Sequence, residues 1–278
     1  MIHGTTSDLA ELLRVQPDLA DGWLGGHVSD ARSRVYGGQF LGQGLMAALA
    51  DDGAASAQSL HALYIRAGST DTPLTYRREA LCTDVAAISC EQNERRLFTM
   101  DVRHESTATQ ADAPAPTPAM PKVAPPEQCI SREEGIKELA RNTDSTWAVT
   151  DSPFDYRFVE NIWANDYRAP RHHVWFRVRD RDLPAEPRLQ QAALAYFSDD
   201  NIMDNALFPH GWHNCWSNLQ TASLDHSLWF HAPIELNDWL LFAQDSPVAA
   251  RTRGLTRGQF FRADGTLVAT AYQEILMR

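Results

Sequence analysis

Three polar residues in the second half of the chain are of the types that can activate a water molecule. They are Asp199 in Ala195-Tyr196-Phe197-Ser198-Asp199, Ser223 in Ala222-Ser223-Leu224-Asp225-His226, and Gln273 in Ala271-Tyr272-Gln273-Glu274. A carboxylate, a hydroxyl and an amide around one point can hold a water and take its proton without a metal or a covalent intermediate. Asp199 is the only carboxylate of the three positions and so the expected general base. A solvated aspartate, with a pKa of ~3.9, is a weak base, so the role asks for a partly buried carboxyl. Ser223 read instead as a nucleophile would need His226 as its base. In a regular strand positions 223 and 226 point to opposite faces, which argues against that pair. The negative oxygen of an attacked carbonyl would sit best on free backbone N–H groups at a helix start, and Gly37-Gly38 is the candidate turn. Taken singly, Asp199 reads as a helix cap, and Gln273 and Ser223 as ordinary polar side chains.

The segments that must gather these residues read as two similar units. Ser59 to Ala67 aligns with Ser223 to Ala232 when His61 is set on His226, so that Leu63, Tyr64, Ile65 and Ala67 meet Leu228, Trp229, Phe230 and Ala232. A second strand follows in each copy, Pro73 to Tyr76 and Asp238 to Leu241, and a later one sets Leu97 on Leu267. The later match needs one copy to have gained or lost about five residues, and an internal repeat of this extent outweighs local propensity. Chance similarity between aromatic strands is the alternative reading. Between the copies lies Ala111 to Pro126, ADAPAPTPAMPKVAPP, too rich in Pro and Ala for a strand or a packed helix. The expected division is 1–110, a linker at 111–126, and 127–278.

Each unit has a helix candidate ahead of its strands. Gly37 to Leu49 is apolar nearly all round, as a buried helix is, and its glycines suit close packing. In the second unit Asp199-Asp200-Asn201 reads as a cap followed by Ile202-Met203 and Ala206-Leu207-Phe208. A helix followed by antiparallel strands that wrap it is an α+β unit. Two in one chain make a long sheet around two central helices.

Composition narrows the partners. A net charge of -11 argues against a nucleic-acid surface, which needs a basic footprint. No apolar run approaches the ~20 residues of a membrane span, and the N-terminus lacks the order of a signal peptide. The cytoplasm is the expected address. Cys82, Cys90, Cys129 and Cys215 stand far apart, which suits free thiols better than a disulfide or metal framework. His172-His173 and His210-Gly211-Trp212-His213 lack the supporting ligand spacing of a metal site, so neither metal nor cofactor is expected.

Several stretches closely resemble the acyl-CoA thioesterase II family, the double-hotdog (TesB-like) enzymes. They are RVYGGQFLGQGLMAA at 34–48, SLHALYIRAGSTDTPLTY at 59–76, AYFSDDN at 195–201, ASLDHSLWFHAPIELNDWLLF at 222–242 and ARTRGLTRGQFFRADGTLVATAYQEILMR at 250–278. The resemblance implies two fused hotdog domains and hydrolysis of acyl-CoA to coenzyme A and a fatty or other carboxylic acid. It sets the family's water-activating Asp, Thr or Ser, and Gln on Asp199, Ser223 and Gln273. Arg253 and Arg257, in a cluster with Arg251, are candidates for the coenzyme A phosphates, and a solvated edge strand is the plain alternative. Gly37 and Gly38 are assigned to substrate binding at the carbonyl. A homo-oligomer, dimer or larger, is expected because hotdog sheets commonly pair. Two departures stand out. Ser223 replaces the commoner Thr, keeping the hydroxyl but not the methyl that stiffens its rotamer. At 81–94 the chain lacks the family's Gly-x-Ser-Phe segment and the arginine pair after it. That loss keeps open a non-catalytic acyl-CoA-binding protein on the same fold. A hotdog hydratase is disfavoured because its Asp/His pair has no matching setting.

Overall fold

The computed structural model describes residues 6–18, 22–27, 34–50, 56–105, 117–142, 152–163, 168–211 and 219–278. The first unit runs α1 (Thr6–Leu13), β1 (Gln16–Asp18), β2 (Gly22–Gly25), α2 (Gly37–Ala48), β3 (Ser56–Tyr64), β4 (Leu74–Cys82), β5 (Val85–Gln92) and β6 (Arg95–Glu105). The second runs β7 (Ile130–Ser131), α3 (Arg132–Asn142), β8 (Phe154–Phe158), β9 (Arg171–Val178), α4 (Pro187–Ser198), α5 (Asp204–Leu207), β10 (Thr221–Ser223), β11 (Asp225–Phe230), β12 (Leu240–Ala250), β13 (Arg253–Arg262) and β14 (Leu267–Met277). The fourteen strands among the described residues belong to one sheet, in which β3 and β11 pair antiparallel and join the two units. The sheet wraps α2 and α4, giving the expected α+β double hotdog.

Helix α2 is buried along almost its whole length and packs on α4. A Cβ on Gly38 would stand 2.0 Å from the carbonyl oxygen of Tyr196, and one on Gly42 2.9 Å from that of Ala192. The glycines therefore set the distance between the helices. The second central helix is not where the sequence placed it. Helix α4 precedes Asp199 instead of following it, and the four-residue α5 lies downstream, followed by a 3-10 turn at Phe208–His210. Pro187 at its first position is pre-shaped for a helix start, and Ala192 to Phe197 supply good helix formers.

The repeat is real in three dimensions but shifted by one residue from the sequence alignment. Leu60 and Ala62 share the core with Leu228, and Leu74 and Tyr76 share it with Leu240 and Phe242. Setting His61 on Ser227 instead makes Leu60 the counterpart of His226, Leu74 of Leu240 and Tyr76 of Phe242, each pair buried on both sides. The sequence alignment had set Leu63, 58% exposed, on fully buried Leu228. In a strand a shift of one exchanges the two faces, so burial decides the register.

The Pro/Ala-rich stretch falls partly on residues 106–116, outside those described. From 117 to 125 the chain carries neither helix nor strand. Met120 and Val123 pack there on Trp175, Leu241 and Phe261, and the Trp175 indole donates to the Ala124 carbonyl at 2.9 Å. No helix among the described residues is long and apolar enough to cross a membrane.

Candidate active site

Asp199 caps the C-terminus of α4, and Asn201, in the left-handed region at φ 62°, turns the chain away behind it. A helix C-terminus carries the negative end of the peptide dipoles, which gives a carboxylate no help in ionising. Asp199 is also nearly buried, 6% exposed. Burial pushes its carboxyl up to about 7. Hydrogen bonds from Ser223, Gln273 and the Gly38 backbone N–H pull against that rise, and the neighbouring Asp200 charge adds to it.

The three predicted residues are brought together. Ser223 Oγ donates to Asp199 Oδ1 at 2.9 Å, and Gln273 Nε2 donates to Ser223 Oγ at 2.8 Å. The contacts continue inward. Gln273 Oε1 lies 2.6 Å from His226 Nδ1, and His226 Nε2 lies 2.9 Å from Ser198 Oγ. Gln273, His226 and Ser198 are fully buried, and burial takes the His226 imidazole down to about 4, so the ring is neutral.

Ser223 and His226 reach the same amide because their strand is not regular. Ser223 stands opposite Ile275 and Ser227 opposite Tyr272, so the strand that carries Ser223 holds one extra residue against β14. That is a β-bulge, and it cancels the alternation that would set 223 and 226 on opposite faces. The N–H of Glu274 turns to Asp225 Oδ1 at 2.7 Å, while Leu224 N–H donates to the Glu274 carbonyl at 2.9 Å. His226 bonds to Gln273, so it is not paired with Ser223 as a base.

The first unit supplies the other wall. A Cβ on Gly37 would stand 2.5 Å from Asp199 Oδ2, so only glycine admits the carboxylate there. The Tyr64 hydroxyl donates to the Gly37 carbonyl at 3.2 Å, and the Tyr36 hydroxyl to the Tyr196 carbonyl at 3.2 Å. Burial, then the Asp199 charge, raises both phenols well above their ordinary range. Asp200 accepts from the Tyr156 hydroxyl at 2.6 Å. Half-buried Asp204 is raised to about 7 by desolvation and then by Asp200. The places of Asp200, Tyr36 and Tyr64 beside the three residues, and the contact of His226 with Gln273, were not read from the sequence.

The two arginines sit elsewhere. On β13 the inward residues are Gly254, Thr256 and Gly258, with Thr256 opposite Gln273. Arg253 and Arg257 take the alternate positions, on the outer face. Arg257 pairs with Asp245 through two contacts, at 3.0 and 2.5 Å, and Arg253 donates to Thr252.

The same place in the first unit holds no such chemistry. Leu49 ends α2 as Asp199 ends α4. Ala57, opposite His104, answers to Ser223, and Val102, two residues from the Met100–Ala62 pair, answers to Gln273. All three are buried and apolar. A cavity of about 840 Å³ lies there, lined in part by Ala57, Gln191 and Phe230. The Gln191 amide is spent on both backbone groups of Ala57, at 2.8 Å each.

Among the described residues no three His, Cys, Asp or Glu side chains converge as for a metal. His172 is a core histidine bonded to Asn205 at 3.1 Å and held down at about 4 by burial. Cys82, Cys90 and Cys129 are unpaired thiols, and Cys215 lies outside the described residues.

A sequence profile described as acyl-CoA thioesterase matches residues 150–276, the unit that carries the three residues. Acyl-coenzyme A thioesterase 8 of Mus musculus is 30% identical over 97% of this chain and 88% of its own length. Acyl-CoA thioesterase 2 of Haemophilus influenzae is 30% identical over 88% of each chain. The crystal structure of an acyl-CoA thioesterase II, TesB2, from Mycobacterium marinum superposes with a TM-score of 0.77 at 28% identity, covering 98% of this chain and 97% of that one.

Proposed function

This chain belongs to the acyl-CoA thioesterase II family, the double-hotdog thioester hydrolases, and we propose that it works through a water deprotonated by Asp199. The observation that carries this reading is a nearly buried carboxyl lifted to about 7 and tethered by Ser223, whose own partner is Gln273. A general base is most effective when its pKa lies near the working pH.

Asp199 takes a proton from the water as the water oxygen bonds to the thioester carbonyl carbon. The C–S bond then breaks, and the departing coenzyme A sulfur leaves as a thiol with the proton that Asp199 held. Ser223 and Gln273 act first on the carboxylate, fixing its plane. Ser223 Oγ has two acceptor positions and gives one to Gln273, so the other is open to the water. Such positioning supplies several kcal/mol of barrier reduction. Since the Gly38 N–H turns to Asp199, the N–H of Gly37 at the start of α2 is the donor we assign to the developing oxyanion.

Thiol release from acyl-CoAs of graded chain length, with wild type and Asp199→Asn side by side, tests the reading. We expect turnover by wild type and a loss of about 10³-fold in the variant, with acyl-CoA binding by calorimetry retained. A variant as active as wild type removes Asp199 from the chemistry. Binding without turnover in either protein makes the chain an acyl-CoA-binding protein.

A further inference from the structure

The charge on Asp199 dictates the direction of every hydrogen bond behind it. An ionised carboxylate only accepts, so the single hydroxyl proton of Ser223 points to Asp199 Oδ1. Ser223 must then accept from Gln273, which commits the amide nitrogen to Ser223 and turns the amide oxygen inward. An oxygen 2.6 Å from His226 Nδ1 requires a proton on Nδ1. A neutral imidazole has one N–H, so Nε2 is bare and must accept from Ser198. The Ser198 hydroxyl, which also lies 2.8 Å from the Ala195 carbonyl, therefore turns to the ring.

The opposite direction is equally self-consistent and is fatal to the base. With the proton on Nε2, His226 donates to Ser198, and Ser198 donates to Ala195. Nδ1 then accepts from the Gln273 nitrogen, the amide oxygen faces Ser223, and the Ser223 proton points to Gln273. Asp199 can keep its bond to Ser223 only by carrying a proton itself.

We propose that His226 is a positioning residue whose Nδ1–H tautomer holds the Gln273 amide, and through it Ser223, in the direction that leaves Asp199 free to accept a proton. This rests on the water-activation reading above. His226 touches neither substrate nor water in this scheme. Its counterpart in the first unit is Leu60, fully buried, so the packing position itself accepts an apolar side chain.

The test compares His226→Asn, His226→Gln and His226→Leu with wild type, by steady-state thiol release and thermal melting. The Asn amide nitrogen falls where Nδ1 stood, and that of Gln falls where Nε2 stood. The expected kcat for His226→Asn is within about threefold of wild type, while His226→Gln and His226→Leu lose about thirtyfold or more with KM little changed. Equal loss in all three at matched melting temperature overturns the proposal, as does a fully active His226→Leu. Should these variants not fold, ¹⁵N NMR of histidine-labelled wild type decides. Ser198→Ala, which removes the partner of Nε2, identifies the ring by its shift. A proton on Nδ1 is expected, and one on Nε2 sinks the idea. The outcomes separate the two readings: loss of activity in Asp199→Asn with unaffected His226 variants defeats this inference alone. Wild type without turnover defeats the mechanism beneath it.

Discussion

Leu49 and Asp199 occupy equivalent places, each ending a buried central helix, and only one of them can take up a proton. The repeat thus shows its scaffold twice and the polar trio once. Leu49 lies among apolar neighbours, with Ala57 and Val102 at the positions answering to the hydroxyl and the amide. Leu49→Asp is therefore expected to add no activity. It should destabilise the fold by roughly 3 kcal/mol or more, because a buried charge without partners is among the most damaging changes. Denaturant unfolding and thiol release on the same preparation check both halves of that expectation.

Activity should rise with pH along a single ionisation near pH 7, since Asp199 is a base only when ionised and its carboxyl sits at about 7. The Asp200 charge contributes to that raised value, so Asp200→Asn should move the rising limb to lower pH. A limb that stays in place, or moves up, in this variant means that another group is titrating.

The raised carboxyl also weakens the fold. Its folded pKa lies above the ordinary carboxylate value, so the stability it allows is fully present below about pH 4. That stability is lost as pH climbs through about 7. His226 and His172, both held at about 4, act in the opposite sense between about 4 and 6.5. Comparing wild type with Asp199→Asn isolates the aspartate. The variant should be more stable at pH 8 by a few kcal/mol at most, and the difference should close towards pH 4. Urea melts at the two pH values measure it.

Gly37 and Gly38 should fail differently. A methyl on Gly38 meets the Tyr196 backbone at 2.0 Å, so Gly38→Ala pushes α2 off α4 and should lower stability by about 2 kcal/mol or more. On Gly37 the methyl meets Asp199 Oδ2 at 2.5 Å, so Gly37→Ala should cut kcat severely with a smaller effect on melting. If both variants lose stability alike, the space beside Asp199 belongs to packing and not to the site.

Helix α2 and the paired strands were legible because each rests on residue type and local pattern, whereas Asp199, Ser223 and Gln273 stood out only together, through the family resemblance of their segments. The difference in length between the two copies was also legible. The β4–β5 turn is tight, while β12 runs on past its bulge at Asp245/Val248 before β13 begins. What escaped depends on neighbours distant in sequence. An Asp-Asp-Asn run reads equally as the start or the end of a helix, and the Ala-rich segment upstream decided for the end. The bulge between Ser223 and Ser227 has no glycine to announce it. At it the Asp225 carboxylate takes an N–H from the facing strand, and the first copy has a like register shift between Ala57 and Ser59. The one-residue error in the repeat came from setting His61 on His226, two residues of one type of which the first is exposed and the second buried.

The bond from Gly38 to Asp199 runs between the two units of the repeat. A unit by itself would have either the carboxylate without its backbone donor and glycine wall, or the wall without a carboxylate. On the proposed mechanism the chemistry is thus the shared property of two partners that happen to be covalently joined. Residues 1–110 and 127–278 made as separate polypeptides would behave as complementing fragments, each inert and active only in each other's company. The covalent link guarantees that meeting, and it leaves each partner free to specialise.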